Sequence, residues 1–486
     1  MQFASNWLAH EREMLTLADV LEALTGLRPV INPLVITEAA IDSRQVIPGG
    51  LFVAIPGERV DGHDYVSQAF QAGAAVALIE HEVEEPWLVL DARPGNWRDA
   101  ELPLQPPICI LVDNTVAALQ TIAAFWRRKL NLRVIGVTGS VGKSTTKEAI
   151  AQVLRQRYKT LKSHANLNNE IGLPLNVLRL TPGHQYAVLE MGFYVPGEIS
   201  QLCEIALPQV GIINNIGTVH AERAGSQETI AQGKGELVEA LPPAPEGIAI
   251  LNYDDPFVRP MNSRTRARVF YYGLDPAADL WADKVEGMGL DGIRLRLHYR
   301  KEALHVRVPM IGRHSVHTVL RATAVGLAEG LTWDEIIHGL QESQAQLRLV
   351  AVRAENGALI LDDTYNASPE STLAALNLLE ELKGRHIAIL GDMLELGQYE
   401  RQGHERVGAR AAEVADVLVT FGIRAHLIAE SARRAGMSKA VIHEFEEMDA
   451  LIAWLEKNLT GQDAVLVKGS HSLRMDKIVS ALESAQ

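Results

Sequence analysis

The sequence has little cysteine and no long apolar run. Cys109 and Cys203 are the only cysteines among 486 residues, which excludes a disulfide framework and a four-cysteine zinc site. No uninterrupted apolar stretch approaches the roughly 20 residues that a membrane-spanning helix needs. The N-terminal segment 1–15 lacks the basic start and the apolar core of a secretory signal. We therefore expect a cytoplasmic protein that has no membrane segment, and in which both cysteines are buried as small apolar side chains.

Positive charge is also scarce. The 46 lysines and arginines are outnumbered by 60 aspartates and glutamates, which gives a formal net charge of −14. This balance disfavours non-specific binding to nucleic acid, so we expect no nucleic-acid partner. Anionic ligands must be held by particular sites and not by a general positive field.

Length and pattern predict three α/β domains. At roughly 150 residues per domain, the chain has room for about three. A joint with three prolines at 101–107 and a polar joint at 341–347 divide it into 1–107, 108–344 and 345–486. Short apolar runs alternate with helical segments in each part. We predict a small N-terminal α/β domain, a central P-loop domain of the doubly wound mononucleotide-binding type and a C-terminal Rossmann-like α/β domain.

Two continuous apolar runs, 108–112 and 134–137, open the central part. Such runs are typical of strands buried on both faces of a parallel sheet. The intervening segments 115–129 and 145–157 have helical character and would cover the sheet. We assign both runs to the central sheet.

A phosphate-binding loop follows the second of these runs. The loop reads Thr138-Gly139-Ser140-Val141-Gly142-Lys143-Ser144-Thr145 and leads into a helix. Glycines let backbone N–H groups approach phosphate oxygens, the helix N-terminus adds partial positive charge, and Lys143 adds a full charge. Ser144 can place its hydroxyl on Mg²⁺. A common P-loop has glycine where this chain has Val137, so the spacing is that of a shortened variant.

Three downstream residues are candidates for metal binding. Glu190 and His220 follow predicted strands, at the edge where open α/β sheets bind ligands, and Lys234 lies in the helical segment after them. Each also has an ordinary interpretation: a solvated glutamate, a structural histidine and a surface lysine. The residues alone do not decide between these interpretations.

The order of these and further motifs resembles the Mur ligase family over almost the whole chain. The segments that carry the likeness are DSR at 42–44, PGGLFVAIPG at 48–57, DGHD at 61–64, the phosphate loop, NLNNEIG at 166–172, EMG at 190–192, GEI at 197–199, NNIG at 214–217 with His220, KGE at 234–236, DDTYNASP at 362–369, GDMLELG at 391–397 and KGS at 468–470. The DDTYNASP and GDMLELG segments favour the members that add D-alanyl-D-alanine to UDP-N-acetylmuramoyl-tripeptide.

The resemblance implies an ATP-dependent ligase of peptidoglycan precursor synthesis that uses two Mg²⁺ ions, and we expect a monomer. By this likeness Lys143, Glu190, His220 and Lys234 are catalytic, Ser144, Glu190, His220 and Lys234 serve the metal, and Lys234 is carbamylated, which turns it into an anion. It further assigns Asn252, Arg348 and Asp363 to ATP. It assigns to the substrates Ser43, Arg44, Asn168, Asn169, Tyr365, Asn366 and Lys468.

The chain departs from the family pattern in two places. Relatives begin one helix with Gly-x-His-Asn-x-x-Asn, whereas this chain has Ser315 and Thr318 at the two asparagine positions. Ser315 can cap the helix but lacks the paired donor and acceptor of an amide, which leaves adenine selectivity open. In the third domain, Ser368 and His471 stand where asparagine and arginine are expected.

The departures motivate an alternative, a Mur-type ligase for a different amine or cell-wall precursor. A third hypothesis is a nucleotide-binding protein that has lost catalysis. Five intact residues argue against it: Lys143, Ser144, Glu190, His220 and Lys234. The resemblance also implies an acyl phosphate intermediate, which water would hydrolyse. We therefore expect the third domain to close over the central one, with 341–347 as the hinge.

Overall fold

The structure, a computed structural model, describes residues 14–57, 60–83, 86–97, 104–342 and 350–483. Three sheets follow one another along these ranges, and each belongs to one α/β domain. Arg348 and most of the predicted hinge, 343–347, lie outside the described residues. Among the described helices, none combines the length and the apolar character required to span a membrane.

The first domain has a parallel sheet of five described strands, in the order β1-β2-β3-β5-β4. Its elements are the strands β1 (Ala39–Ala40), β2 (Leu51–Val53), β3 (Val76–Ile79), β4 (Leu88–Asp91) and β5 (Ile108–Leu111), and the helices α1 (Leu17–Thr25) and α2 (Val66–Gln71). Helix α1 begins with a capping box between Thr16 and Asp19, and ends at Gly26 in the left-handed conformation.

The assignment of 108–112 to the central sheet was wrong. Strand β5 pairs with β3 on one side, where Ile108 is opposite Val76, and with β4 on the other, where it is opposite Leu88. A continuous apolar run shows that a strand is buried on both faces, but it does not identify the neighbouring strands. A border between residues 107 and 108 would therefore cut through the first sheet.

The central domain has a mixed sheet of nine described strands, in the order β14-β13-β12-β11-β10-β9-β6-β8-β7. Its strands are β6 (Arg133–Thr138), β7 (Thr160–Lys162), β8 (Tyr186–Glu190), β9 (Val210–Ile213), β10 (Ile248–Asn252), β11 (Arg268–Gly273), β12 (Leu280–Gly287), β13 (Ile293–Tyr299) and β14 (Glu302–Val308). Its helices are α3 (Thr115–Lys129), α4 (Lys143–Arg155), α5 (Gly172–Leu178), α6 (Glu198–Ala206), α7 (Ala221–Ala224), α8 (Gln227–Glu239), α9 (Val316–Ala328) and α10 (Trp333–Gln341). The seven strands from β6 to β12 are parallel, and β13 and β14 continue the sheet in antiparallel fashion.

The strand before the phosphate loop is the centre of this domain. Val134 faces the apolar cluster shared with the first domain, while Ile135 and Val137 face the cluster formed with α4 and α9. All three side chains are fully buried, and such burial stabilises the fold by about 1.5–3 kcal/mol for each side chain. This packing on both faces fixes the position from which the loop leaves the sheet.

The third domain has six described strands in the order β15-β16-β20-β17-β18-β19, parallel except for β15. Its strands are β15 (Val350–Arg353), β16 (Leu359–Asp363), β17 (Arg385–Gly391), β18 (Val417–Phe421), β19 (Ile442–Phe445) and β20 (Asp463–Lys468), and its helices are α11 (Pro369–Glu381), α12 (Glu400–Val414), α13 (His426–Arg434), α14 (Met448–Asn458) and α15 (Asp476–Leu482). The predicted fold class, three α/β domains around a central P-loop domain, is confirmed.

Candidate active site

A cleft of about 830 Å³ lies where the three domains meet. The first domain contributes Ile41 to its wall. The central domain contributes the phosphate loop and the carboxyl ends of β8, β9 and β10, and the third domain contributes the loops after β16 and β20. The sequence-predicted residues that line the cleft are Ser140, Val141, Gly142, Lys143, Ser144, Thr145, Asn168, Asn169, Glu190, His220, Asn252, Asp363, Tyr365, Asn366 and Lys468.

The phosphate loop takes a conformation that only glycine adopts easily at two positions. Gly139 and Gly142 have φ angles of 148° and 79°. A Cβ atom at Gly139 would lie 2.6 Å from the Cβ of Asn214, so the loop passes close to β9. Gly142 directly precedes α4, whose first three residues line the cleft. Thr138 and Gly139, at the start of the loop, do not line the cleft, and the Thr138 hydroxyl donates to the carbonyl of Met191.

Two consecutive asparagines after β9 hold the loop in place. The backbone N–H of Val141 donates to Asn215 Oδ1 at 2.9 Å, and that of Ser140 donates to the Asn215 carbonyl at 3.0 Å. Asn214 Nδ2 donates to the Thr146 hydroxyl of α4 at 3.2 Å. Asn214 and Asn215 belong to the NNIG motif at 214–217, but the sequence did not predict that they would hold the phosphate loop by hydrogen bonds.

Glu190 is a buried carboxylate at the end of β8, beside the loop. Ser144 Oγ donates to its Oε2, and Asn168 Nδ2 donates to its Oε1, both at 2.9 Å. Only 1% of the residue is exposed. Lys143 Nζ meanwhile donates to the carbonyl of Gly139 at 2.9 Å, so its side chain folds over the loop. The structure thus brings a serine hydroxyl, a carboxylate and an ammonium group together beside the cradle.

Lys147 is a neighbour of Glu190 that sequence reasoning missed. Its Nζ lies 3.8 Å from Glu190 Oε2 and 3.7 Å from Glu148 Oε1, and it donates to the carbonyl of Ala165. Lys147 follows Lys143 by one helical turn, so both side chains are on the same face of α4. That spacing was the one signal in the sequence that pointed to it.

His220 precedes the short helix α7 with a left-handed φ of 71°. Its Nδ1 lies 2.7 Å from Oε2 of Glu395, which comes from the third domain. A carboxylate only accepts hydrogen bonds, so Nδ1 carries the proton and Nε2 keeps its lone pair. Burial lowers the pKa of His220, and the charge of Lys143 lowers it further, against the opposing effect of the hydrogen bond to Glu395. The imidazole is therefore suited to act as a neutral metal ligand.

Lys234 is fully buried in α8, beneath the wall of the cleft. Among the described residues its Nζ has no hydrogen-bond partner, and it lies 4.7 Å from the centre of the Phe193 ring. Burial lowers the pKa of Lys234 well below its ordinary value, and the nearby charge of Lys143 adds to this effect. A neutral amine with no partner is a nucleophile.

In the third domain, Asp363 and Lys468 end adjacent strands and pair with each other. Lys468 Nζ donates to Asp363 Oδ2 at 2.7 Å and to the carbonyl of Asn366 at 2.8 Å. The Tyr365 ring lies 5.9 Å from that of His471. Ser368, the other departure, caps α11 by accepting from the N–H of Ser371, a role that asparagine also fills.

Ser315 does not cap α9, contrary to expectation. A short 3-10 turn, Arg313–Ser315, runs directly into the helix, so the backbone of Ser315 is already helical. Its hydroxyl instead donates to the carbonyl of Ile311 at 2.8 Å. The side chain of Asn252 is also already hydrogen-bonded within the protein. Its Nδ2 donates to the carbonyl of Asn214, and its Oδ1 accepts from the N–H of Asp254.

Two of the predicted substrate residues do not reach the cleft. Arg44 is exposed and forms a forked ion pair with Asp42, two residues earlier. Ser43 is buried, and its hydroxyl donates to Gln68. Asn169 does line the cleft, where its side chain accepts from the N–H of Gly172.

Among the described residues, a close group of three potential metal ligands occurs away from the cleft, in the first domain. Asp61, His63 and His81 present ligand atoms within 4.8 Å of one another. Both ring nitrogens of His63 are already engaged, Nδ1 with Asp61 at 2.6 Å and Nε2 with the N–H of Glu80 at 2.8 Å. His63 therefore has no ring nitrogen left to bind a metal ion, and the group offers only two ligands, Asp61 and His81.

Three family models match the chain in succession. They are "Mur ligase family, catalytic domain" over residues 35–127, "Mur ligase middle domain" over 137–326 and "Mur ligase, glutamate ligase domain" over 347–471. The first match extends beyond β5, in agreement with the place of that strand in the first sheet.

Individual relatives match over nearly the whole chain. A UDP-N-acetylmuramoyl-tripeptide--D-alanyl-D-alanine ligase from Synechocystis is 35% identical over 449 residues, which are 92% of this chain and 92% of that protein. Among solved structures, MurF from Acinetobacter baumannii has a TM-score of 0.80 at 29% identity, with 97% of this chain and 98% of that chain covered. A MurF ligase from Thermotoga maritima in complex with ADP has a TM-score of 0.75 at 27% identity, with coverage of 95% and 98%. The protein whose cleft is described above therefore belongs to the Mur ligase family.

Proposed function

We propose that the protein is an ATP-dependent ligase that joins D-alanyl-D-alanine to UDP-N-acetylmuramoyl-tripeptide, a step of peptidoglycan precursor synthesis. The observation that carries the proposal is the composition of one cleft. It combines the phosphate loop, the buried carboxylate of Glu190 and the Asp363–Lys468 pair of the third domain. The ligase activity for which the Synechocystis relative is named supports the choice of substrates.

The proposed reaction has two steps. The terminal carboxylate of the tripeptide attacks the γ-phosphorus of ATP, so that a carboxyl–phosphate bond forms and ADP leaves. The amine of D-alanyl-D-alanine then attacks the acyl carbon, an amide bond forms, and inorganic phosphate departs while the amine loses a proton. Lys143 neutralises charge on the transferring phosphoryl group, for which its Nζ leaves the Gly139 carbonyl.

The residues around Glu190 fit a magnesium site. Hard oxygen ligands suit Mg²⁺, and Ser144 Oγ, the Glu190 carboxylate and the free Nε2 of His220 all line the cleft. When bound, Mg²⁺ supplies positive charge that offsets the phosphates and the carboxylate. We propose that these three residues hold the metal, with two ions bound in the active enzyme.

The surroundings of Lys234 suit a carbamate and not a charged lysine, because the amine is fully buried and has no hydrogen-bond partner among the described residues. Its buried and unpartnered amine is neutral, can attack CO₂ and would lose one proton to become an anion near His220 and Lys143. Mass spectrometry under bicarbonate should detect one CO₂ on the peptide that contains Lys234, and this label should be absent from Lys234→Arg. An unmodified lysine in fully active enzyme would contradict the proposal.

The remaining substrate contacts divide between the domains. We propose that Asn252, Asp363 and Arg348 contact ATP, that Ser43 and Arg44 contact the uridine diphosphate, and that Asn168 and Asn169 face the peptide. Tyr365, Asn366 and Lys468 would receive the dipeptide. For Arg44 this requires exchange of its Asp42 partner for a diphosphate, which a forked guanidinium binds well.

The direct test is a phosphate-release assay. Purified protein with ATP, Mg²⁺, UDP-N-acetylmuramoyl-tripeptide and D-alanyl-D-alanine should release phosphate only when both substrates are present. Release that is independent of the dipeptide, or a preference for another amine, would refute the assignment. We further propose that the protein is a monomer, and sedimentation under assay conditions tests this.

A different amine remains the second candidate, and His471 favours it. This residue lies beside Tyr365, which lines the cleft, and it stands where the family pattern has arginine. An imidazole would read the carboxylate of the incoming amine differently from a guanidinium. A panel of dipeptides and amino acids in the same assay separates the two candidates.

A further inference from the structure

Arg321 is a buried arginine in the wall of the cleft that has no acidic partner within the described part of the chain. Only 4% of the residue is exposed, and its side chain lines the cleft from α9. Of its five N–H donors, one on Nη1 reaches the Tyr272 hydroxyl at 3.3 Å and one on Nη2 reaches the Thr318 hydroxyl at 3.0 Å. Its Nε has no partner among the described residues. A buried charge in this state is costly unless a ligand completes its hydrogen bonds.

Arg127, another buried arginine of the same chain, shows the contrast. It is 3% exposed and its guanidinium donates to four backbone carbonyls, at distances from 2.8 to 3.4 Å. These acceptors belong to the segments 130–132 and 206–207, which the side chain ties together. Arg127 does not line the cleft. Its surroundings explain it as a structural residue, whereas the surroundings of Arg321 do not.

The position of Arg321 indicates what would complete its bonds. A Cβ atom built on Gly142 would lie 3.6 Å from Arg321 Nη2, so the guanidinium is beside the last residue of the loop before α4. That helix N-terminus is where the phosphates of a nucleotide are expected. Lys143 leaves the loop from the following position. Arg321 therefore adds a second full positive charge next to the cradle, from a different helix.

We propose that Arg321 is a nucleotide-binding residue whose unused N–H groups donate to the polyphosphate of ATP. The proposal rests on the proposed function and extends it by one specificity-determining contact. A guanidinium forms strong, charge-assisted hydrogen bonds to phosphate oxygens. Tyr272 and Thr318 hold the group in place before the nucleotide arrives, so little side-chain entropy is lost on binding.

The test compares ligands with and without phosphates. The dissociation constant of ATP is measured by titration calorimetry, and that of adenosine by ligand-detected NMR, for the unmodified protein, Arg321→Met and Arg321→Lys. Loss of a charged hydrogen bond should weaken ATP binding by Arg321→Met about 10- to 100-fold. Adenosine binding should not change, and Arg321→Lys should recover part of the loss because it keeps the charge.

Arg127→Met is the matched control for loss of a buried arginine. It should lower the unfolding temperature without a phosphate-specific effect, and unfolding curves of all variants without nucleotide show whether they fold. Should Arg321→Met fail to fold, Arg321→Lys against the unmodified protein carries the comparison. Equal weakening of ATP and adenosine, or no change in either, overturns the proposal.

The outcome also separates this inference from the ligase proposal. Protein that binds no ATP refutes both. If ATP binds with the expected dependence on Arg321 but phosphate release does not depend on the dipeptide, the ligase proposal fails and the role of Arg321 stands.

Discussion

His220 of the central domain and Glu395 of the third domain are joined by a hydrogen bond of 2.7 Å between Nδ1 and Oε2. The same segment of the third domain touches the central one again, because Gln398 Nε2 donates to the carbonyl of Gly225 at 2.9 Å. The N–H of Glu222 also donates to the carbonyl of Glu395 at 3.3 Å. The orientation of the imidazole therefore depends on where the third domain sits.

We expect Glu395→Gln to lower both turnover and the apparent affinity for Mg²⁺. The amide can still accept from Nδ1–H but lacks the negative charge that makes the imidazole a better ligand. Loss of such a partner typically costs about 10- to 100-fold. The measurement is phosphate release as a function of Mg²⁺ concentration, with Glu413→Gln as the control, since that carboxylate is exposed on α12. Unchanged turnover and Mg²⁺ dependence in Glu395→Gln would show that the contact has no functional role.

Lys143→Ala should reduce turnover at saturating ATP by about 100- to 1,000-fold, because a preorganised positive charge at the phosphoryl group is lost. Lys457→Ala, which alters an exposed lysine near the end of α14, should behave like the unmodified protein. Phosphate release under saturating substrates provides the comparison. Activity retained in Lys143→Ala would refute the assignment of the phosphate loop.

Gly233→Ala should destabilise the protein although alanine favours a helix. The added Cβ would lie 2.0 Å from Cε2 of Phe193, so the buried ring must move away from Lys234. Overpacking of this kind costs about 1–3 kcal/mol, more than the roughly 1 kcal/mol that alanine adds to helix stability. Denaturant unfolding measures the difference, and Gly183→Ala is the control because its Cβ would meet only ordinary contacts. Equal stability of both variants would contradict the prediction.

Asp19 should contribute to stability above about pH 4 and lose that contribution as the pH falls towards 2. Burial raises the pKa of Asp19, but hydrogen bonds from Lys129, Thr16 and Arg28 outweigh it and hold the pKa at about 2. The folded pKa lies below the unfolded one, so the carboxylate stabilises the fold while it is ionised. Relative to the unmodified protein, Asp19→Asn should be less stable by about 2 kcal/mol at neutral pH, with little difference near pH 2.

Thermal unfolding across this pH range tests the expectation for Asp19. Glu456→Gln, which changes an exposed carboxylate, should show no such trend. A stability difference for Asp19→Asn that is the same at both ends of the range would mean that the charge of Asp19 has no effect on folding.

Much of the fold was predictable because local signals agreed with the tertiary structure. Helix α3 has the limits expected from the sequence, since Asn114 caps its first turn. The sequence did not predict the antiparallel ribbon of β12, β13 and β14, in which polar residues interrupt the apolar ones. Strand β13, Ile293–Tyr299, alternates between buried and less buried positions within an antiparallel ribbon, and its neighbours β12 and β14 also present exposed residues. The sheet to which β5 belongs was not predictable, because an apolar run carries no information about its pairing partner.

Residues of the candidate site could be predicted from the sequence only where they belong to a motif of known chemistry. The loop, Glu190 and Lys468 each belong to a motif, and all three line the cleft. Arg321 and Lys147 are single basic residues on helices, and sequence reasoning would treat such residues as surface charges. Their burial and their approach to the loop depend on how α9 and α4 pack, which one-dimensional spacing does not give. The hydrogen bond between His220 and Glu395 joins residues 175 positions apart, so it too depends on the tertiary structure and not on local spacing.

Strand β5 and helix α3 connect the first and central domains through one continuous apolar cluster, which runs from Leu15 through Trp126 to Leu251. Among the described residues, the two apolar clusters of the third domain include no buried residue of the first two domains. Cooperative units follow shared cores, so the first two domains should melt together and the third by itself. Scanning calorimetry should accordingly record two heat-absorption peaks for three domains, and ATP should move the two peaks towards each other because it bridges both units.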